Sequence, residues 1–202
     1  MSSSLTKTVG TSVLAMQTVA AATVVIGSAI DVSTILEGIL GIRCGRNQEA
    51  ALTVGVKFRV EGSYAAGQGY WEVIGGCTFQ SAIAAAASEA LTANPCLAGI
   101  TTLLGASTSG FTAPCYCSIL NTTPANSEFV RVKALQAGTV AFLIEEATIN
   151  VQTGATIYNQ AESFQCGIPA GYSRVRVVVD NMGNATQAAL VDAYLNKVTA
   201  IG

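Results

Sequence analysis

The chain alternates most regularly between hydrophobic and polar positions in residues 50–61. One side of the extended chain carries Val54, Val56, Phe58 and Val60, and the other carries Gly55, Lys57, Arg59 and Glu61. A period of two, with β-branched and aromatic residues on one side, predicts a strand that has one face on a core. Antiparallel sheets allow the opposite face to contact water.

The same pattern returns near the C-terminus in residues 173–181. There Val175, Val177 and Val179 alternate with Arg174, Arg176, Val178 and Asp180. We expect these two strands to frame one β-sandwich of the jelly-roll-like kind. Residues 20–32 and 70–79 predict further strands, whereas residues 33–44 fit either a strand or a short helix, and their glycines favour the strand.

The middle of the chain predicts a second unit of short strands. Five such strands, at residues 100–104, 115–120, 128–135, 139–145 and 155–158, are separated by turn-rich stretches. This spacing is typical of a small β-barrel or an antiparallel meander. The sequence therefore predicts a mainly β protein. Its sandwich domain comprises residues 19–80 and 159–202, an Ala-rich linker comprises residues 81–96, and an inserted barrel domain comprises residues 97–158.

The two ends of the chain predict different structures. Residues 1–18 are rich in Ser and Thr, so we expect an extended arm that becomes ordered against a partner. Residues 8–30 lack charge, but polar positions interrupt them too often for a membrane span. Residues 188–198 place Leu190, Val191, Tyr194, Leu195 and Val198 at helical spacing, with Asn184 or Thr186 as a possible cap, which favours a short C-terminal helix.

The composition indicates a domain whose surface is covered by partners. Only 11% of the 202 residues are charged and 50% are hydrophobic, whereas an ordinary soluble domain has about 25% charged residues. We therefore expect partners to cover much of the surface. The net charge of −2 and the scattered basic residues argue against a nucleic-acid ligand.

The residue types available for chemistry are few. The chain has no histidine, which removes the commonest general base and the commonest metal ligand. Its six cysteines lack the spacing of a zinc site, and we expect free thiols, including Cys115 and Cys117 on one face of a strand. The sequence thus predicts no catalytic residue, no cofactor and no metal.

The charged positions of the two frame strands are the candidate interface. This set comprises Lys57, Arg59, Glu61, Trp71, Arg174 and Arg176. Because charged residues are rare elsewhere, we interpret this face as a polar seam against a partner. Tyr64, Tyr70 and Trp71 also fit a sugar-stacking platform, although such residues more often serve as core or interface anchors.

The chain resembles the virion structural proteins of tailed bacteriophages, and most of all their capsid cement or decoration proteins. The resemblance lies in SAIDVSTILEGIL (28–40), VGVKFRVEGS (54–63), NSEFVRVKAL (126–135), TGATIYNQAE (153–162) and RVRVVVDN (174–181). It implies a non-enzymatic protein on the capsid surface of a virion. It also implies a homo-oligomer, typically a trimer, that contacts the major capsid protein and binds neither nucleic acid nor membrane. A tail or neck component and a glycan-binding adhesin module are the alternatives.

Overall fold

The computed structural model of the protein describes residues 5–48, 52–67, 69–80, 88–92, 98–136, 141–145, 147–148 and 154–200. Strands account for nearly all the regular structure in these ranges, with one 3-10 turn at Pro124–Asn126. The strands are β1 Leu5–Val19, β2 Val24–Ile26, β3 Ile30–Asp31, β4 Ile35–Arg46, β5 Val56–Ser63, β6 Glu72–Phe79, β7 Ser88–Ala90, β8 Thr102–Leu104, β9 Cys115–Leu120, β10 Glu128–Gln136, β11 Ala141–Ile144, β12 Thr156–Asn159, β13 Ala161–Ile168, β14 Arg174–Asp180 and β15 Ala189–Ala200.

A five-stranded sheet contains the two strands with the clearest alternation. Its order is β2-β14-β5-β6, and β3 also pairs with β14. β5 and β14 are antiparallel neighbours, with Val60 opposite Val177 and Phe58 opposite Val179. These four side chains are buried in the main core. The alternation therefore predicted both the strands and the face that they bury.

A four-stranded sheet, β1-β15-β4-β13, packs against that buried face. Its inward residues include Leu40 and Ile42 of β4 and Val191 and Leu195 of β15, all in the same core as Phe58. The two sheets form the sandwich, which is held together by the burial of apolar side chains from both of its inner faces.

A third sheet, β7-β12-β9-β10-β11-β8, has its own core. It curls until its two ends meet at an isolated bridge between Leu91 and Gly105, where the Thr92 amide donates to the Leu104 carbonyl at 2.8 Å. The core side chains inside this curl include Leu103, Ile119, Phe142 and Ile157. The prediction of a mainly β fold that combines a sandwich with a small barrel-like unit is confirmed.

The curled sheet packs on the outer face of the four-stranded sheet. Phe129 of β10, Ala161 of β13 and Leu190 of β15 form a small separate cluster at this junction. The Ser118 hydroxyl of β9 also donates to the Arg46 carbonyl of β4. The junction leaves a cleft between the two units.

The prediction of a C-terminal helix is wrong, because residues 189–200 form strand β15 between β1 and β4. The apolar residues at helical spacing belong to both faces of this strand. Val191 and Leu195 enter the main core, whereas Leu190 contacts the junction cluster. Because both faces of β15 are buried, apolar and polar residues do not alternate along the strand. The spacing of its apolar residues then resembles that of a helix.

The predicted arm also differs from the structure, because residues 5–19 are strand β1, paired along its length with β15. Of the predicted linker, residues 88–90 form β7, and residues 81–87 and 93–96 lie outside the described ranges. The division of the chain into domains at the predicted boundaries stays a prediction. Within the described ranges, no helix has the length and hydropathy needed to cross a membrane.

Candidate functional site

The outer face of the five-stranded sheet brings together all six residues of the predicted interface. The antiparallel register places Arg176 of β14 opposite Glu61 of β5, Val178 opposite Arg59, and Asp180 opposite Lys57. Since opposite residues of an antiparallel pair share a face, the charged side chains form one strip across the two strands. Arg174 lies at one end of this strip and Trp71 precedes β6 beside it.

Glu61 is the centre of the strip. Arg176 donates from Nε and Nη2 to the same Glu61 oxygen, at 2.8 and 2.7 Å, and Arg59 Nε lies 3.8 Å from the other oxygen. Glu61 is only 9% exposed. A carboxylate at this burial needs such partners, because desolvation would otherwise disfavour its charged form. The pairing thus neutralises the most buried charge of the face.

Trp71 packs against both arginines of β14. Its ring centre lies 4.1 Å from the Arg176 guanidinium carbon and 5.2 Å from that of Arg174. These distances are typical of cation–π contacts, in which the guanidinium also stacks on the ring. Tryptophan and arginine are the residue types most enriched in the energetic centres of protein interfaces.

The neighbouring tyrosines form a second aromatic group. Tyr64 and Tyr172 stack with ring centres 4.5 Å apart, and the Tyr172 hydroxyl donates to Glu72. This hydrogen bond to the carboxylate raises the pKa of the Tyr172 phenol. Gly62 is required at this point, because a side chain there would lie 2.5 Å from the Tyr172 ring. Tyr64 and Trp71 of the possible sugar platform each have one ring face occupied, and Tyr70 is exposed.

Exposed apolar residues flank the charged strip on both sides. Val73 of β6 lies opposite Glu61 and is 61% exposed, and Ile26 of β2 lies opposite Val178 and is 57% exposed. Val24, also of β2, lies opposite Asp180 and is exposed as well. Exposed apolar patches that border polar residues are a mark of interaction surfaces. The local sequence pattern does not identify these flanks, because only the sheet register places them beside the strip.

Among the residues that the structure describes, no group of three or more His, Cys, Asp or Glu side chains could hold a metal ion. Cys115 and Cys117 lie close, with their Sγ atoms 3.6 Å apart, on the inner face of β9. Cys96 lies outside the described ranges.

No protein-family model matches the chain, and no curated protein matches it either. Among solved structures, the chain is similar to VP17, a capsid protein of bacteriophage P23-77, at 12% identity and a TM-score of 0.24 over 100% of this chain and 97% of that one. It is also similar to the VP16-VP17 complex, a complex of the two major capsid proteins of that bacteriophage, at 11% identity and a TM-score of 0.24 over 99% of both chains.

Proposed function

We propose that this chain is a structural protein of a bacteriophage virion that decorates and cements the capsid. Its partners are further copies of itself, with the trimer as the form that the sequence resemblance implies, and the major capsid protein. The low share of charged residues, 11%, supports a surface that is largely covered in the assembled state. The assignment to a bacteriophage virion rests on the sequence resemblance.

The outer face of the five-stranded sheet is the observation that carries the proposal. It combines a tryptophan stacked on two arginines with exposed apolar flanks at Val24, Ile26 and Val73. Its most buried charge, Glu61, is already paired with Arg176. Covering this face therefore buries apolar area without leaving that carboxylate unpaired, which would otherwise cost several kcal/mol.

The mechanism of such a protein is physical. Each copy binds the assembled shell and not the dispersed subunits, so its binding free energy stabilises the assembled state by mass action. Binding at a junction of several subunits lets one copy restrain all of them. No chemical step is needed, and the rigid sandwich behind the face presents the contact residues in fixed positions.

Two substitutions on the face test the proposal. Trp71→Ala removes the stacked ring and Arg59→Glu reverses a charge beside Glu61. Each is expected to weaken attachment to capsids that lack the protein by about tenfold or more, because interface tryptophans and charge reversals cost about 2 kcal/mol or more. Co-sedimentation with such capsids, and the temperature at which the capsids release their contents, are the measurements.

Lys133→Glu is the matched control, since Lys133 is exposed on β10 of the curled sheet. Attachment of this variant is expected to equal that of the unaltered protein. Unchanged attachment of both the Trp71 and Arg59 variants, or a protein that stays monomeric and binds no capsid, would overturn the proposal. Imaging of labelled protein on the neck or tail instead of the head would favour the alternative role there.

A further inference from the structure

Two thiols of the curled sheet lie in contact with each other. Cys115 and Cys117 are both free, and their Sγ atoms are 3.6 Å apart. Both residues belong to β9, and Tyr116 between them is 48% exposed. Because successive side chains of a strand point to opposite faces, the two cysteines are consecutive residues of the inner face of β9.

The surroundings of the two thiols differ. Cys117 is fully buried in the core of the curled sheet, whereas Cys115 packs against the edge of that core and is half-buried. Cys115 also lines a cleft of about 420 Å³ together with Thr112 and Gln160, and Cys117 does not. A small solute that enters the cleft therefore meets Cys115, with Cys117 directly behind it.

The contact between the thiols makes Cys115 the more reactive of the two. The hydrogen bond from Cys117 lowers the pKa of Cys115 against the opposing effect of burial, and a hydrogen bond from the Thr112 backbone lowers it further. The same thiol contact, together with burial, raises the pKa of Cys117. Since the thiolate is the form that peroxides oxidise, Cys115 is the nucleophile and Cys117 keeps its proton.

The strand geometry allows the two sulfurs to bond, but with strain. Alternate residues of a strand have Cα atoms about 6.4–6.8 Å apart, which is the upper end of the range of about 4.4–6.8 Å found in disulfides. Cys115 is the first residue of β9 and pairs with Val132 of β10, whereas the pairing of β9 with β12 ends at Cys117, opposite Asn159. This end of β9 is therefore paired on one side in the described structure, and a small backbone shift shortens the spacing.

We propose that Cys115 and Cys117 form a peroxide-responsive redox site, in which Cys115 is oxidised at the cleft and Cys117 then closes a reversible disulfide. First, the Cys115 sulfur attacks one oxygen of hydrogen peroxide. An S–O bond forms, the O–O bond breaks, and the departing hydroxide takes up a proton to become water. Next, the Cys117 sulfur attacks the Cys115 sulfur, so that the S–S bond forms, the S–O bond breaks, and hydroxide leaves with the Cys117 proton as water. The two thiols lose two electrons in total, and the peroxide gains them.

The resolving thiol stops the oxidation of Cys115 at a reversible stage. A sulfenic acid that has no neighbouring thiol is open to further oxidation to sulfinic acid, which thiols do not reduce. A strained disulfide, in contrast, is readily reduced, so an excess of glutathione returns the site to the dithiol form. This role does not depend on the function proposed for the outer face of the five-stranded sheet.

Treatment of the full chain with hydrogen peroxide tests the proposal. The protein is then denatured with iodoacetamide and digested with chymotrypsin, which cleaves after Phe111, Tyr116 and Leu120 and so places the two cysteines in separate fragments. We expect mass spectrometry to find these fragments joined, and to find them separate after reduction. Cys115 is also expected to be oxidised at least about tenfold faster than Cys77, whose pKa burial raises to about 11.

Cys117→Ala is expected to abolish the joined fragments and to leave Cys115 as a sulfenic acid that dimedone labels. Cys166→Ala, at the edge of the main core, is the matched control and is expected to keep the joined fragments. The unaltered protein is itself decisive, since its digest requires no variant to fold. Separate fragments after peroxide treatment, a bond from Cys115 to Cys96, or equal dimedone labelling with and without Cys117 would overturn the proposal.

Discussion

The thiols Cys115 and Cys117 show how one residue sets the chemistry of another. The hydrogen bond from the Cys117 thiol lowers the pKa of Cys115, and that same contact, together with burial, raises the pKa of Cys117. Elsewhere burial raises the pKa of Cys77 to about 11, and it also raises the pKa of Cys44 and Cys166. Cys115 is therefore the cysteine with the largest thiolate fraction at neutral pH among those that the structure describes.

We expect iodoacetamide to alkylate Cys115 before Cys44, Cys77 and Cys166, since the thiolate is the reacting species. The rate at Cys115 should reach half its maximum at a lower pH than that of an ordinary cysteine. Cys117→Ala removes the hydrogen bond, so the pKa of Cys115 should rise and its rate profile should move to higher pH. Mass spectrometry of the alkylated peptides over a pH series measures this. Faster alkylation of Cys77, or a profile that Cys117→Ala leaves in place, would contradict it.

For single residues, the sequence predicted which side chains share a face of the sheet, but not which of their atoms form contacts. Period-two alternation placed Lys57, Arg59 and Glu61 together, and it placed Arg174 with Arg176. The pairing of Glu61 with Arg176 depends on the β5–β14 register, which no local pattern encodes. The hydrogen bonds from Thr148 to Glu128 were likewise not predictable, because they join residues that are 20 positions apart in the chain.

Single strands show where reasoning from the sequence succeeds and where it fails. β5 and β14 each bury one face, so buried and more exposed residues alternate along much of their length. The sequence pattern therefore predicts a strand in both places. β15 has apolar residues on both faces, because it lies inside one sheet and is covered on both sides. The hydrophobic pattern of β15 cannot be distinguished from that of a helix unless the elements that cover its two faces are known.

Gly41 makes room for an aromatic side chain where β4 pairs with β15. Gly41 lies opposite Tyr194, and a side-chain carbon at position 41 would approach the Tyr194 ring to 2.6 Å. The ring therefore packs over the bare backbone of the neighbouring strand, and it also contacts the Arg43 guanidinium. A glycine in the middle of a strand usually weakens it, but here it makes room for the aromatic side chain.

Gly41→Ala is expected to destabilise the protein by about 1–3 kcal/mol, because the added methyl group displaces the Tyr194 ring. Equilibrium unfolding in urea measures this change. The double variant Gly41→Ala with Tyr194→Ala should lose less than the sum of the two single variants, since the clash needs both groups. Additive losses would contradict the proposed contact.

The whole molecule combines two cores through a small junction. Among the described residues, the main core and the core of the curled sheet have no member in common, and the separate cluster of Phe129, Ala161 and Leu190 lies between them. Phe129 also contacts Arg43, which is paired with Asp192 of β15. The Phe129 ring therefore links the apolar packing at the junction with the ion pair between Arg43 and Asp192.

Phe129→Ala is expected to cost about 3–5 kcal/mol of stability at the junction. Because the two cores are then less coupled, heating in a calorimeter should resolve two unfolding transitions in place of one. Phe111→Ala, within the core of the curled sheet, is the matched control and should lower stability without separating the transitions. A single transition in the Phe129 variant would show that the coupling runs through other contacts.

The position of β15 also determines the order in which the chain can fold. β15 lies between β1 and β4, and its pairing with β1 joins Leu5 to Ala200. Contacts between such distant parts of a chain are slow to form, because a long loop must close before any of them is gained. During synthesis, β1 and β4 must wait for β15, each with an unpaired edge open to other chains. The pairing of β15 is therefore the step that completes the four-stranded sheet and protects these edges from aggregation.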